Sequence, residues 1–399
     1  MKNYNKTLFA CFTGYIIQAI INNFAPLLFL TFQSSYGIPL SQITLLVTFN
    51  FGIQLVIDLL SAGLIDKIGY QHSMLAAHVF CAAGLLFMTV LPEILPDAFA
   101  GLLLSITVYA VGGGLLEVLA SPIVENCPTD NKEKAMSLLH SFYCWGHVGV
   151  VLLSTLFFKI FGIGNWKVLT VIWALLPILN FILFLKAPFP EADSGKENSL
   201  PVKNLVTQRL FWILMLLMLC AGACEQAVSQ WASTFAEKGL GISKTAGDLA
   251  GPMLFAILMG TARLIYGKWG DKINLNQFMR LSGFLCLFSY LIISLSPHPV
   301  FGLLGCGICG LSVGILWPGT FSMAAANIRG GGTAMFAFLA LAGDLGCMSG
   351  PTFVGFVSGA FGDNLKIGIF AAVIFPLLLL AGLYAKNAVV KKLTNSKLP

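Results

Sequence analysis

Twelve long apolar runs constrain this chain more than any other feature. A helix that crosses the hydrocarbon core of a bilayer needs about 20 mostly apolar residues, and its backbone must pair internally because lipid offers no hydrogen-bond partner. The runs lie at approximately 8–33, 41–65, 73–92, 98–124, 135–160, 165–187, 207–237, 246–268, 278–296, 300–326, 333–360 and 364–386. They predict an all-α membrane protein with twelve transmembrane helices.

Composition excludes several other classes of protein. Hydrophobic residues make up 57% of the chain and charged residues only 10%, whereas a soluble domain carries about 25% charged residues. A soluble enzyme and a disordered chain are therefore excluded. The net charge of +6 does not indicate nucleic acid, because the basic residues are scattered over short loops and never cluster. We expect a lipid bilayer as the surroundings and no nucleic-acid partner.

One polar segment divides the runs into two groups of six. Residues 188–206 are rich in Pro, Ser and Gly, which is typical of a linker. We therefore predict an N-terminal six-helix bundle at 1–187, a cytoplasmic linker at 188–206, and a C-terminal six-helix bundle with a short cytoplasmic tail at 207–399.

The basic residues predict the orientation. If the N-terminus is cytoplasmic, most of the 23 Lys and Arg residues fall on the cytoplasmic side of short loops, as the positive-inside rule requires. With an odd number of spans, the Lys and Arg residues would be distributed over both sides of the membrane. We predict a multi-pass protein of the cytoplasmic (inner) membrane with both termini cytoplasmic. The first run is too long for the core of a cleavable signal peptide, so we expect it to be retained as a span.

No motif indicates a cofactor or a metal. The 10 Cys residues lie mostly in apolar runs, where small packing residues are expected. The spacing of Cys306 and Cys309 matches C-x-x-C but has no flanking ligand, and the Gly-rich segment 305–310 lies inside a span instead of following a strand. We found neither a zinc-spaced His pair nor a nucleophile–base pair. We therefore expect no metal, no cofactor and no enzymatic activity.

Two short segments repeat between the halves. Segments 62–69 and 267–273 follow the second and eighth runs, and each carries an Asp-Lys pair, 205 residues from the other. Chance pairs at helix ends are the alternative. The segments resemble the signature loop of the Major Facilitator Superfamily, G-x-x-x-D-[RK]-x-G, with Ala62 in place of the first Gly. The resemblance implies two bundles that rock about a central site by alternating access. It also implies gating roles for Asp66, Lys67, Asp271 and Lys272.

Five charged residues are predicted within spans: Asp58, Glu117, Glu225, Arg263 and Asp344. A charged group at the bilayer centre costs about 2.5–3.5 kcal/mol on insertion scales, so such groups mark functional sites. We expect Asp58, near the inner end of its helix, and Arg263 to act in gating. Glu225 and Asp344 are candidate proton-coupling residues, and their alternative role is that of paired structural acids.

Glu117 is the first candidate for proton coupling. It follows a Gly triplet that permits close helix approach, and a buried carboxyl without a cation can load and release a proton. The alternative is a permanently protonated structural donor. Glu117 with Ser121-Pro122 resembles the fourth helix of the fucose:proton symporter family, and Asn22-Asn23 resembles that family's first helix. Pro26 stands where the family places an Asp. The resemblance implies a sugar as solute.

The remaining candidates are amides, histidines and aromatic rings. His140, Tyr143 and His147 share one helix face in the fifth run, where they either bind the solute or form an interhelical cluster; His147 is also a candidate partner for Glu117. The Asp-Lys pairs of the two halves are 205 residues apart, and the same offset places Asn22 at position 227. The polar residues of the first and seventh runs therefore lie at equivalent depths. Trp317 precedes Pro318 and either closes over the solute or packs. The predicted solute contacts are Gln18, Asn22, Asn23, His140, Tyr143, His147, Gln226, Gln230, Trp231 and Trp317.

These features together predict a secondary active transporter. We expect a small, sugar-like solute, moved by proton symport through a monomer, although Gly-rich helices also suit a dimer. The alternative is a proton-linked drug or metabolite exporter of the same superfamily, which would favour a larger and more apolar cavity. A receptor that binds without transporting has no distinguishing feature in the sequence.

Overall fold

The computed structural model describes residues 4–128, 132–189, 202–269, 272–328 and 332–395. Within these residues every regular element is helical. Twelve helices are long and apolar enough to cross a membrane, which confirms the predicted number of spans. They are α1 (Asn5–Tyr36), α2 (Leu40–Ser61), α3 (Tyr70–Ile94), α4 (Ala98–Asn126), α5 (Leu138–Phe161), α6 (Ile163–Leu185), α7 (Arg209–Gly239), α8 (Lys244–Tyr266), α9 (Leu275–Leu295), α10 (Pro299–Asn327), α11 (Ala334–Ala360) and α12 (Leu365–Lys392).

Several helices continue past their apolar spans. The helix of α2 extends to Ile68, and the helices of α5, α8 and α11 cover Lys132–Phe161, Leu254–Trp269 after a π turn, and Gly332–Ala360. A short helix at Val202–Val206 precedes α7. Six spans come before it and six after it, so this segment and the two ends of the described chain lie on one face of the membrane. We call this face the linker face and the other the opposite face.

The helix of α1 is interrupted near its middle. An α-helical part ends at Asn23, a 3₁₀ segment covers Ala25–Leu28, and α-helix resumes at Phe29–Tyr36. Pro26 explains the break, because proline has no N–H to donate to the carbonyl four residues earlier, which is that of Asn22. A related break in α7 follows Ser229, where the chain passes through a short helix into a π turn at Phe235–Gly239.

Glycines allow close contact between helices of the second half. α7 and α11 pack along much of their length. At Gly346 a Cβ atom would lie 2.0 Å from the carbonyl oxygen of Leu219, so only glycine fits there. Small residues at such contacts let helix backbones approach each other within a membrane, where hydrophobic driving force between helices is absent.

The two halves meet along three helix pairs: α1 with α7, α2 with α11, and α5 with α8. In the α2–α11 interface the helices run antiparallel, and the hydroxyls of Thr48 and Thr352 form a hydrogen bond of 2.7 Å. The outward surface of the described helices carries many exposed apolar side chains, such as Leu179 and Ile160. The molecule is thus a multi-pass membrane protein.

Candidate functional site

A pocket of about 110 Å³ lies between the two halves of the chain. Eight helices, four from each half, contribute side chains to it. Its lining consists of Tyr15, Gln18, Asn22, Phe51, Gln54, Glu117, His140, Tyr143, Glu225, Gln226, Arg263, Trp317, Asp344 and Cys347. Most of these side chains are polar or aromatic, which is unusual for positions deep within apolar helices and indicates a binding site.

The amide of Gln18 holds the carboxyl of Glu117. Gln18 Nε2 donates to Glu117 Oε2 at 3.0 Å and to Gln54 Oε1 at 2.8 Å. Gln54 Nε2 in turn donates to Asn22 Oδ1 at 2.9 Å. Both hydrogens of the Gln18 amide are therefore used, and Glu117 receives a neutral donor instead of a cation. No ion pair involves Glu117 among the described residues.

The hydrogen-bond network continues across the interface. Gln230 Nε2 on α7 donates to the backbone carbonyl of Asn22 on α1 at 3.0 Å and to Gln226 Oε1 at 3.0 Å. Gln226 Nε2 then donates to Glu225 Oε1 at 3.3 Å. The carbonyl of Asn22 is the one that Pro26 leaves without its helical donor. The break in α1 therefore exposes the acceptor that links the two halves.

Arg263 is the last residue of this hydrogen-bond network, and its guanidinium lines the pocket. Its Nη2 lies 3.4 Å from Glu225 Oε2, and its Nε donates to the carbonyl of Gly314 at 3.3 Å. Its Nη1 donates to Cys144 Sγ on α5 at 3.2 Å, so the guanidinium also contacts the first half of the chain. This pairing matches the expected alternative for Glu225, a paired acid, and places the predicted gating residue Arg263 in the pocket itself.

Aromatic side chains form the walls of the pocket. The rings of Tyr15 and His140 lie 5.5 Å apart in an edge-to-face arrangement, and the hydroxyls of Tyr15 and Ser121 are 3.1 Å apart. Tyr143 accepts a hydrogen bond of 3.5 Å from Asn23. Trp317 completes the lining from α10. Such rings offer both flat apolar faces and polar atoms at their edges.

The structure brings most of the predicted solute and proton residues together in this pocket: Gln18, Asn22, Glu117, His140, Tyr143, Glu225, Gln226, Trp317 and Asp344. Four predicted solute contacts lie outside it. Trp231 is fully buried and donates its indole N–H to the Pro351 carbonyl at 2.9 Å, so it packs between helices. Asn23 and Gln230 support residues of the lining.

The structure does not pair His147 with Glu117, although the sequence makes it a candidate partner. His147 is buried, lies outside the pocket lining, and has no hydrogen bond to Glu117. Gln18 on α1 takes that place beside the carboxyl instead. Helix periodicity put His140, Tyr143 and His147 on one face, but only the first two line the pocket.

Sequence reasoning missed four lining residues: Tyr15, Phe51, Gln54 and Cys347. A signal for one of them was present. Asn50 and Gln54 lie one helical turn apart in an otherwise apolar run, and both bond to Asn22 Oδ1. Uncharged amides in a span follow the same physical rule as charges, since each needs a partner inside the protein.

The structure describes only some of the predicted gating residues. Asp58 lies on α2, which packs against α11, the helix that brings Asp344 into the pocket. Lys272 is exposed. Asp66 and Lys67 lie in the helix that ends at Ile68, but their side chains are outside the described residues, as is Asp271 altogether. The gating roles of these loop residues stay predictions.

A charged cluster closes the interface at the opposite face. Asp248 is fully buried, accepts a hydrogen bond of 2.5 Å from Ser233 and lies 3.0 Å from the ammonium of Lys244. Lys244 also pairs with Glu237 at 3.1 Å. Thr155 on α5 donates to Asp248 at 3.4 Å, which adds a contact from the first half. The two halves are thus joined on the side away from the linker face.

The described residues contain no cluster of three or more His, Cys, Asp or Glu that could hold a metal ion. All ten cysteines are buried and unpaired, including Cys127, which follows the end of α4. The Cys306 and Cys309 thiols lie inside the second bundle.

Twelve membrane-spanning helices around a central polar pocket define a multi-pass membrane protein with an internal binding site. The family model described as Major Facilitator Superfamily matches residues 7–351. The chain therefore belongs to the Major Facilitator Superfamily, a family of transporters, which confirms the resemblance drawn from its loop motifs. No curated protein sequence matches the chain.

Solved structures share this fold at low sequence identity. A bacterial homologue of the human lysosomal transporter Spinster, inward-facing and occupied, is 16% identical with a TM-score of 0.75, covering 97% of this chain and 98% of that one. The E. coli fucose:proton symporter is 17% identical with a TM-score of 0.65, covering 96% and 99%. A D-xylose–proton symporter is 13% identical with a TM-score of 0.74, covering 96% and 97%.

Proposed function

We propose that this transporter moves a small polar solute, a sugar or sugar derivative, together with protons by alternating access. The observation that carries the proposal is the continuous hydrogen-bond network from Glu117 in the first half to Arg263 in the second half. A solute that displaces amide contacts within this network changes the link between the two halves. Binding and rocking are then coupled through the same side chains.

The size and chemistry of the pocket support a small polar solute. A volume of about 110 Å³ lies below the 300–1,000 Å³ of pockets that hold drug-sized ligands. The amides of Gln18, Asn22 and Gln226 can donate to and accept from hydroxyl groups. The rings of Tyr15, Tyr143 and Trp317 offer stacking surfaces for the apolar face of a sugar ring.

Glu117 is the residue we assign to proton coupling. Its carboxyl has no cationic partner among the described residues, whereas Glu225 is paired with Arg263. A buried carboxyl without a cation can bind and release a proton, and its place in the pocket lining puts that proton beside the solute. Glu225 and Asp344 are secondary candidates for the same role.

Two of the solved structures that share this fold support the same assignment, since they are proton symporters of fucose and of D-xylose. The excess of Lys and Arg on the linker face supports a cytoplasmic position for that face and for both termini, under the positive-inside rule. We propose the cytoplasmic membrane as the location and a monomer as the working unit.

One observation favours the second candidate, an exporter of cationic drugs or metabolites. Three acidic side chains, Glu117, Glu225 and Asp344, line the pocket against the single basic Arg263. This surplus of acid suits a cation. The small volume of the pocket favours the sugar over a bulky lipophilic cation.

Two measurements test the proposed function. A thermal-shift screen of the purified protein against sugars and lipophilic cations identifies the solute, because a ligand of the folded state raises the melting temperature by mass action. Uptake of that solute into proteoliposomes is then measured under an imposed pH gradient or an imposed sodium gradient. We expect accumulation with the pH gradient alone. Accumulation that ignores protons and follows sodium contradicts the proposal, and stabilisation by lipophilic cations alone supports the exporter.

A further inference from the structure

The acidic and basic side chains that line the pocket do not balance. The acids are Glu117, Glu225 and Asp344. Arg263 forms its ion pair with Glu225. The other basic side chain of the lining, His140, packs edge to face against a tyrosine and forms no ion pair among the described residues. Two carboxyl groups of the lining therefore have no cationic partner in the described chain, which is costly within a membrane protein.

The coupled proton neutralises one of these two carboxyl groups. Under the proposed function, Glu117 on α4 binds that proton. Asp344 on α11 then remains, and no Lys, Arg or His forms an ion pair with it in the part of the chain that the structure describes. Because Asp344 lines the pocket, the solute itself can supply the missing positive charge.

The hydrogen bonds of the lining also favour a solute that donates. Both amide hydrogens of Gln18 are used inside the protein, and Gln54 Nε2 likewise has protein acceptors. Each guanidinium nitrogen of Arg263 contacts a protein acceptor. By contrast, Gln18 Oε1 is buried without a hydrogen-bond donor among the described residues. An ammonium group brings three donors and no acceptor, which suits a lining whose donors are already engaged.

An aromatic ring lies next to Asp344. The indole of Trp317 packs against Gly343, the residue before Asp344, so closely that a Cβ atom added at Gly343 would overlap the ring. Trp317 and Asp344 both line the pocket. A cation within about 6 Å of the face of an indole is attracted to it. The carboxylate and the indole together therefore suit an ammonium group.

We propose that the solute is an amino sugar whose ammonium group is held by Asp344 and Trp317. Its charge satisfies the acidic lining, and its compact ring suits a pocket of about 110 Å³. With the proton on Glu117 and the ammonium at Asp344, no acid of the lining is left without a partner. The sugar part of this assignment rests on the proposed function, but the charged amine does not.

Matched sugars test the proposal in mildly acidic buffer, where a sugar amine carries its proton. Glucosamine, galactosamine and mannosamine are titrated against the purified protein in thermal-shift experiments, beside glucose, galactose and mannose at the same ionic strength. The N-acetyl derivatives keep the nitrogen but remove its charge. We expect at least one amine to bind about tenfold or more tightly than its parent sugar and its N-acetyl derivative, as expected for a hydrogen bond between charged groups.

Substitutions locate the preference for the amine. Asp344→Asn removes the charge at nearly constant size, and we expect it to abolish the preference. Asp363→Asn is the matched control, because it makes the same change at an aspartate that pairs with Lys238 outside the pocket, and it should keep the preference. Trp317→Leu should weaken the preference, whereas Trp212→Leu, at an exposed tryptophan of α7, should leave it unchanged.

Two results overturn the amino-sugar assignment: equal affinity for every amine and its neutral counterparts, or a preference that survives Asp344→Asn. The comparison of sugars uses the parent protein, so it decides the matter even where a variant fails to fold. Proton-driven uptake of neutral sugars without a preference for amines overturns the amino sugar alone. Preferred binding of an amine whose uptake ignores protons overturns the proposed coupling alone.

Discussion

Single residues determine how the two halves of this transporter are connected. Pro26 removes the N–H that the Asn22 carbonyl would use in a regular helix, and the amide of Gln230 from the other half takes its place at 3.0 Å. The side chain of Asn22 meanwhile accepts from Asn50 and Gln54. Asn22 is thus bonded through its backbone to one bundle and through its side chain to the other.

Removal of Arg263 is predicted to destabilise the protein. Arg263→Ala leaves the Glu225 carboxyl buried without its cation, which we expect to cost about 3 kcal/mol, the lower end for breaking a buried ion pair. The double variant with Glu225→Gln removes the uncompensated charge and should recover much of that loss. Thermal unfolding of the purified variants measures both effects. A single variant as stable as the double would show that the pair carries no buried charge penalty.

At the scale of helices, glycine contacts determine how closely elements pack. α7 and α11 approach so closely that no side chain fits at Gly346, whereas a Cβ atom added at Gly359, on the same helix, would meet no other atom within 4 Å. Only the first of these positions depends on the absence of a side chain. The second bundle is therefore held together by backbone proximity at a few specific positions.

Gly346→Ala is predicted to lower the melting temperature. Its Cβ would meet the backbone of Leu219 and Ala223, which cannot move as a flexible side chain does, so we expect a cost of at least about 1–3 kcal/mol. Gly359→Ala is the matched control and should change stability by no more than about 0.5 kcal/mol. Equal melting temperatures for the two variants would contradict this account of the α7–α11 contact.

The number of helices followed from the sequence, but the direction of individual side chains did not. Bilayer thickness dictates the length of each apolar run, so all twelve spans were predictable. Gln226 and Trp231 are close in one run, yet the first lines the pocket and the second packs against Pro351. The break after Ser229 changes which residues share a face, and no simple helical periodicity includes such a break.

At the scale of the whole molecule, contacts are distributed unequally between the two faces. The buried Asp248 and its partners Lys244 and Ser233 join the halves toward the opposite face. The polar pocket occupies the middle of the interface between the halves. The hydrogen bonds described between the halves therefore lie at the pocket and toward the opposite face.

The most direct test of the central claim is solute uptake by Glu117→Gln in proteoliposomes. Glutamine keeps the hydrogen-bonding shape beside Gln18 but cannot exchange a proton. We predict that accumulation driven by a pH gradient falls to the level found without a gradient, while exchange of solute in counterflow continues. Glu125→Gln, an exposed position on the same helix, is the matched control and should accumulate normally. Undiminished gradient-driven accumulation by Glu117→Gln would contradict the account.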